Sequence, residues 1–164
     1  MLIDDETAND NSQLVATFLL GGAAFGIGTE VVQEVVKVGE ITPIHHAPPH
    51  IVGIRNLRGH IVTVVDLGIR LELGAISIGP ESRIIIVDLQ GEPVGLLVDS
   101  VADTITLDKE DISPAPPNVH GVQGRNFAGV YRAHERLIAL LNLETVLKAD
   151  ERLAKEPAGK IGPV

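Results

Sequence analysis

Histidines are the side chains of this 164-residue chain best suited to binding a metal ion, and four of the six lie close together, at His45, His46, His50 and His60. A protein metal site needs ligands that converge from rigid elements and outer partners that fix the imidazole rings. The first three histidines lie instead in a proline-rich stretch with no recognised ligand spacing, and the chain contains no cysteine. We therefore predict a solvated loop here, with neither a metal nor another cofactor.

The residue types needed for catalysis do not occur in catalytic arrangements. No serine lies in a Gly-x-Ser-x-Gly elbow. The glycine clusters Gly21–Gly22 and Gly26–Gly28 lack the lysine and the following helix of a phosphate-binding loop. The paired carboxylates Asp4–Asp5 and Glu110–Asp111 fall in a tail and in a predicted loop, where solvent exposure is expected. The sequence therefore predicts a protein that is not an enzyme.

Composition excludes several further classes of function. The formal net charge of −9 repels phosphate backbones and acidic membrane surfaces, and 2% aromatic residues leave few rings for stacking on bases, so nucleic acid is excluded as a partner. The uncharged stretch Gln13–Thr29 is shorter than the roughly 20 apolar residues that span a bilayer. We expect a soluble, cytoplasmic protein without membrane insertion.

The strongest structural signal is a predicted β-hairpin at the centre of the chain. Two apolar segments rich in valine and isoleucine, Ile51–Leu57 and Ile61–Leu67, flank a short polar break, and this composition favours strands over helices. Gly59 can adopt a positive φ angle, which allows a tight turn. This turn would display Arg58. For an isolated arginine, a solvated turn residue is the simplest interpretation.

Similar patterns predict further short strands on both sides of the hairpin. Gly21–Gly22 would join Leu14–Leu20 to Ala23–Gly28, and Thr29–Val36 is ambiguous, with one or two helical turns leading into a strand over Val35–Ile41. Asn142 is the predicted N-cap of a C-terminal helix. The remaining predicted strands are Arg83–Leu89, Val94–Val98, Val101–Leu107, Phe127–Tyr131 and Leu137–Leu143.

The two halves of the chain repeat each other. A shift of 69 residues places Gly22, Val32 and Glu34 on Gly91, Val101 and Asp103, and a shift of 76 residues places Ile61–Leu67 on Leu137–Leu143. About five short strands in each half, separated by frequent turns, are typical of a small barrel. The sequence thus predicts a mainly β protein with one small barrel for each half.

Two motifs of the central hairpin resemble those of the CheW-type chemotaxis coupling proteins: Asn56-Leu57-Arg58-Gly59 and Val65-Asp66-Leu67. The resemblance covers roughly Gln13–Leu147. It implies two five-stranded SH3-like β-barrels packed around a shared hydrophobic core, with short helical turns and a C-terminal helix. We expect this domain to span residues 12–148, preceded by a disordered acidic tail (1–11) and followed by a helix end and a flexible tail (149–164).

The resemblance also implies partners and a role for seven residues. Proteins of this type link the cytoplasmic tips of methyl-accepting chemoreceptors to the regulatory domain of the histidine kinase CheA, at receptor arrays on the inner face of the membrane. The segment Val32-Gln33-Glu34-Val35 matches a receptor-contacting segment of the family, although a solvated helix face is the alternative for Glu34 alone. The implied receptor-binding residues are Val32, Glu34, Arg58, Arg83 and Thr104, and the implied kinase-binding residues are Gly53 and Ile54.

The sequence leaves three alternatives open. Gly53 and Ile54 fit equally well as a β-bulge and a core residue. The chain could be a stand-alone regulatory domain, although neither a phosphotransfer helix nor an ATP-binding segment fits in the residual tails. It could also be a small barrel that senses a ligand or a metal through the histidine-rich stretch at Pro43–His50.

Overall fold

The computed structural model describes residues 11–147. Twelve strands and two short α-helices make up most of this part of the chain, together with three single-turn 3₁₀ helices at Thr29–Val31, Lys109–Asp111 and Gly124–Asn126. The predicted tails, 1–11 and 149–164, lie outside the described residues except for Asn11. In chain order, the elements are β1 Ser12–Leu20, β2 Ala23–Gly28, β3 Val32–Lys37, β4 Ile51–Leu57, β5 His60–Asp66, α1 Leu67–Arg70, β6 Arg83–Leu89, β7 Glu92–Val98, β8 Ser100–Asp108, β9 Asn118–Val119, β10 Val122–Gln123, β11 Phe127–Ala133, β12 Arg136–Leu141 and α2 Leu143–Leu147.

The strands form two five-stranded sheets and one small hairpin. Sheet 1 has the order β11-β12-β2-β1-β8, sheet 2 has the order β3-β6-β7-β5-β4, and β9 and β10 pair with each other. All pairings are antiparallel except β12 with β2 and β5 with β7. The predicted fold class, a mainly β protein with two five-stranded units, is confirmed.

The two sheets repeat the same topology. Each sheet consists of one hairpin, a parallel pairing that joins it to a second hairpin, and a further antiparallel edge strand. These are β11-β12, β2-β1 and β8 in sheet 1, and β4-β5, β7-β6 and β3 in sheet 2. The pairing registers follow the sequence repeat. Leu20 pairs with Ala23 in sheet 1, and the equivalent Leu89 pairs with Glu92 in sheet 2. The internal repeat read from the sequence is therefore a repeat of structure.

The halves of the chain do not each form their own sheet, and this part of the prediction is wrong. Sheet 2 is built from five consecutive strands, β3 to β7, whereas sheet 1 combines β1 and β2 with β8, β11 and β12. The chain crosses between the sheets after β2 and again after β7. Each sheet therefore contains strands from both halves, and sheet 1 cannot form until the two ends of the described chain have met.

A single bridge joins the edges of each sheet at equivalent places. Thr42 and Ile54 exchange two backbone hydrogen bonds of 2.8 Å, which link the segment after β3 to β4. Ser113 and Val130 exchange two of 2.9 Å, which link the segment after β8 to β11. Neither sheet is closed by a continuous ladder, but each bridge curves its sheet towards an SH3-like barrel and brings the two edges together.

Buried apolar side chains form three clusters. One lies between the two sheets, and each of the other two lies within the curve of one sheet, which is called the interior of that sheet. Strand β6 contributes to two of them, since Ile84 and Ile86 point into sheet 2 and Ile85 and Val87 point into the cluster between the sheets. The alternation explains why this strand is apolar at consecutive positions. In the cluster between the sheets, all three phenylalanines lie in a row, with ring centroids 6.1 Å apart for Phe18–Phe25 and for Phe25–Phe127. The implied shared hydrophobic core is confirmed.

Several element boundaries differ from those predicted. The third strand is Val32–Lys37 and not Val35–Ile41, and it follows a single 3₁₀ turn. Two elements were not predicted: the helix α1, which directly follows the central hairpin, and the small β9–β10 hairpin. In the described residues, no helix has both the length and the apolar character needed to cross a membrane.

Candidate functional site

The Asn-Leu-Arg-Gly motif forms the turn between β4 and β5. Arg58 and Gly59 have φ angles of 52° and 88°, both positive, as in a two-residue type I′ turn. The Oδ1 atom of Asn56 accepts a hydrogen bond of 2.8 Å from the Gly59 N–H, which fixes the turn. The tight hairpin predicted from Gly59 is confirmed. The positive φ of Arg58 was not predicted, because such a conformation is uncommon for a residue with a Cβ atom.

Arg58 forms an ion pair with Glu34. The Nη2 atom of Arg58 donates to the Oε2 atom of Glu34. Glu34 lies on the edge strand β3 and Arg58 lies at the tip of the hairpin that forms the other edge of sheet 2. The Arg58 side chain is 68% exposed and that of Glu34 is 33% exposed, so the pair is accessible to a partner. The alternative reading of Glu34 as part of a solvated helix face is wrong, because Glu34 lies on a strand.

Val32 lies at the start of β3, two residues before Glu34. It is half-buried and packs against the cluster between the sheets. The register of β3 with β6 shifts between Val32 and Glu34, where Gln33 forms a β-bulge. Val32 therefore packs against the shared core and lies at the surface beside the ion pair.

Arg83 and Thr104 lie apart from this ion pair. Arg83 pairs with Lys37 at the far end of the β3–β6 ladder, about 10 Å along β6 from the residue opposite Glu34. Its Nη1 atom donates to the carbonyl oxygens of Pro80 (2.9 Å) and Ser82 (2.7 Å). Thr104 is exposed on β8, the edge strand of the other sheet. Of the five residues implied to bind a receptor, only Arg58 and Glu34 are in polar contact with each other within residues 11–147.

Gly53 and Ile54 lie on β4 at the seam of sheet 2. The register of β4 with β5 shifts between Ile51 and Gly53, so the predicted bulge is present. A Cβ atom on Gly53 would collide with the Thr42 carbonyl oxygen, because Thr42 makes its bridge to Ile54 at this point. Ile54 is half-buried and belongs to none of the three core clusters. This geometry gives Gly53 a structural role and leaves the side chain of Ile54 partly accessible.

Sheet 1 has a cleft at the position equivalent to the ion pair. The repeat places Glu34 on Asp103 and Arg58 on His134, and His134 has a φ of 58° in the β11–β12 turn. Asp103 and His134 both line a cleft of about 460 Å³ with an apolar floor that includes Ala24, Ala133 and Ile138. In sheet 2 the equivalent positions are Pro93, Leu57 and Val62. Val62 belongs to the apolar cluster inside sheet 2, and Leu57, which is larger than its equivalent Ala133, packs against that cluster.

Asp66, in the Val-Asp-Leu motif, has a structural role that the sequence did not indicate. Its side chain is 4% exposed and accepts hydrogen bonds of 3.0 Å from the backbone N–H groups of Ile69 and Ile76. It thereby caps α1 and holds the loop that follows. The equivalent Asn142 caps α2 by accepting a 3.2 Å hydrogen bond from the Thr145 N–H, so the predicted N-cap is confirmed.

The histidine-rich stretch forms an irregular loop. His45 and His46 lie next to each other with ring centroids 6.4 Å apart. The described residues contain no group of three or more His, Cys, Asp or Glu side chains placed to hold a metal ion.

The chain is similar to known proteins over most of its length. The family model described as "CheW-like domain" matches residues 14–151. A chemotaxis protein CheW of Rhizobium meliloti is 35% identical over 147 residues, which is 89% of this chain and 94% of that protein. One of Klebsiella aerogenes is 31% identical over 134 residues, 82% of this chain and 81% of that protein.

A solved structure is also similar. The crystal structure of the scaffolding protein TtCheW from Thermoanaerobacter tengcongensis aligns with a TM-score of 0.76 and 35% sequence identity, over 82% of this chain and 87% of that one. The fold, the family model and these relatives agree with the resemblance carried by the two hairpin motifs. This chain belongs to the CheW-like domain family of non-catalytic chemotaxis adaptor proteins.

Proposed function

We propose that this protein couples methyl-accepting chemoreceptors to the histidine kinase CheA, by binding the receptor's cytoplasmic tip on one surface and the kinase regulatory domain on another. The single observation that carries the proposal is the Arg58–Glu34 ion pair. It is formed by the two motif segments that the family resemblance assigns to the receptor. It lies on the surface, where both side chains can exchange partners.

The receptor surface is centred on Arg58, Glu34 and Val32. The half-buried Val32 offers an apolar contact beside two opposite charges that fix the orientation of a partner. Arg83 and Thr104 extend this surface only for a receptor tip that is wide enough to reach the far end of β6 and the edge of sheet 1. We therefore expect them to contribute less than the ion pair.

The kinase surface is the seam of sheet 2 around Gly53 and Ile54. The Thr42–Ile54 bridge holds this seam, and the half-exposed Ile54 provides an apolar contact. The kinase surface involves β4 away from the hairpin tip, so one molecule can hold both partners. Recruitment of the protein to receptor arrays at the inner face of the membrane follows from binding both.

The test measures the two affinities separately. Arg58→Ala and Glu34→Ala should weaken binding to a receptor cytoplasmic fragment, and both variants should keep the wild-type affinity for the kinase regulatory domain encoded nearest in the genome. Gly53→Ala should weaken kinase binding by displacing the Thr42 bridge. If the wild-type protein binds neither partner, or if Arg58→Ala leaves receptor binding intact, the proposal is wrong.

A further inference from the structure

Arg55 is a cationic side chain on the inner face of sheet 2. It lies on β4, directly opposite Val62 on β5, and Val62 belongs to the apolar cluster inside this sheet. Directly opposite side chains of an antiparallel pair lie on the same face. The side chain is half-buried, and its Nη1 atom is buried with no hydrogen-bond partner among residues 11–147. A buried donor of a charged group without an acceptor costs free energy.

The chain makes room for this guanidinium group. Gly39 follows β3 with a φ of 63°, and a Cβ atom there would lie 2.6, 2.7 and 3.0 Å from Nη2, Nε and Cζ of Arg55. Glu40 is the nearest carboxylate in sequence to this contact, but it is exposed, and no described contact joins it to Arg55. Within residues 11–147, the guanidinium therefore has a defined place and no carboxylate.

Arg55 also lies next to the seam of sheet 2. Its neighbour Ile54 makes the bridge to Thr42, and Gly39 and Thr42 belong to the same connection after β3. A protein that docks on this seam therefore comes close to the exposed part of the Arg55 side chain. The guanidinium fork matches the geometry of a carboxylate, with which it can form two parallel hydrogen bonds.

We propose that Arg55 is a docking residue that pairs with a carboxylate side chain of the kinase regulatory domain. The inference rests on the proposed function, which assigns the neighbouring Gly53 and Ile54 to the kinase. In the free protein, the charge is held at a cost beside aliphatic side chains. In the complex, the carboxylate supplies the missing acceptor and the seam excludes water from the pair.

When the charge of Arg55 is removed, the stability of the free protein and its affinity for the kinase regulatory domain should change in opposite directions. Arg55→Met keeps an unbranched, largely apolar side chain and removes the charge. The free protein should then unfold at the same or a higher urea midpoint, because no buried donor is left without an acceptor. Binding to the kinase regulatory domain should weaken at least tenfold, because the carboxylate of the partner loses its cation.

The test compares Arg55→Met and Arg55→Lys with Arg132→Met, which removes an exposed arginine from β11 in the other sheet. Affinity for the purified kinase regulatory domain is measured at several salt concentrations, and stability by urea unfolding. We expect Arg55→Lys to recover part of the affinity, Arg132→Met to bind as the wild type does, and Arg55→Met to have the weakest salt dependence. If the wild type binds and Arg55→Met binds equally well, Arg55 is not a docking residue. A wild type that does not bind the kinase domain would overturn the proposed function itself.

Discussion

Arg58 and His134 occupy equivalent turn positions in the β4–β5 and β11–β12 hairpins, with φ angles of 52° and 58°. Arg58 forms an ion pair with Glu34, whereas His134 and Asp103, the equivalent of Glu34, line an open cleft. Since the backbone repeats, differences between these two ends arise from their side chains. At this end of sheet 2, Arg58 pairs with Glu34 and Leu57 packs against the interior, whereas sheet 1 has a cleft.

The cleft in sheet 1 should be fillable by one substitution. Ala133 is the equivalent of Leu57, which packs against the interior of sheet 2. Ala133→Leu should place apolar atoms in the cleft and raise the free energy of unfolding by about 0.5–2 kcal/mol. Urea unfolding would measure the change, with Ala128→Leu as a control at an exposed alanine of the same strand. A loss of stability at Ala133 alone would show that the cleft cannot hold a leucine.

Replacing Arg58 by asparagine should separate stability from binding. Asparagine tolerates a positive φ angle better than arginine, and Asn-Gly is a preferred type I′ turn sequence. The ion pair is exposed and contributes only about 0–1 kcal/mol. We therefore expect Arg58→Asn to melt at the wild-type temperature or a few degrees above it, and to bind the receptor fragment more weakly. His134→Asn is the matched control, and it should leave receptor binding unchanged.

The exchange of strands between the sheets should make unfolding cooperative. Ile85 is buried in the cluster between the sheets and Ile86 in the interior of sheet 2, and each should cost about 2–5 kcal/mol when replaced by alanine. Because sheet 1 contains strands from both halves, both variants should still unfold in one transition by calorimetry and by circular dichroism. A second, separate transition in the Ile86→Ala variant would indicate that the sheets unfold independently.

The sequence predicts the local features of this fold well, because they depend on neighbouring residues. Gly59 marks the hairpin turn, and Asn142 marks the start of α2. The membership of the two sheets could not be predicted in the same way. Strand exchange depends on the long-range pairings of β12 with β2 and of β5 with β7, which leave no local pattern.

The β-bulge in β3 explains why the valines of this strand have a helix-like spacing. Val31, Val32, Val35 and Val36 have helical spacing, which made Thr29–Val36 ambiguous between a helical segment and a strand. In the structure, the bulge at Gln33 shifts the alternation of the strand, so that Val32 packs against the cluster between the sheets and Val36 against the interior of sheet 2. Val32 and Val36 are therefore both apolar because they pack on different faces of one strand, and not because they share one face of a helix.

The motif residues identified Glu34 and Arg58, but only the strand geometry brings these two side chains together.

The two helix caps should differ in their contribution to stability. Asp66 accepts hydrogen bonds from two backbone N–H groups and is buried, whereas Asn142 accepts one from Thr145 and is exposed. Asp66→Ala should cost about 1.5–3 kcal/mol, since hydrogen bonds to a charged group are lost. Asn142→Ala should cost about 0.5–2 kcal/mol. Urea unfolding measures both, and Asp66→Asn, which keeps one acceptor oxygen, should fall between Asp66→Ala and the wild type.

A double-mutant cycle tests whether Arg58 and Glu34 act as a unit in the proposed receptor surface. Each single alanine variant breaks the same ion pair, so the two losses of receptor affinity should be less than additive in Arg58→Ala/Glu34→Ala. The coupling should shrink as salt is added, because both side chains are partly exposed. Calorimetric titration with the receptor fragment measures all four affinities. Pairing Arg58→Ala with Thr104→Ala provides the control, since Thr104 lies on the other sheet and its effect should add independently. Additive losses for Arg58 and Glu34 would mean that each contacts the receptor separately and that the ion pair does not shape the surface.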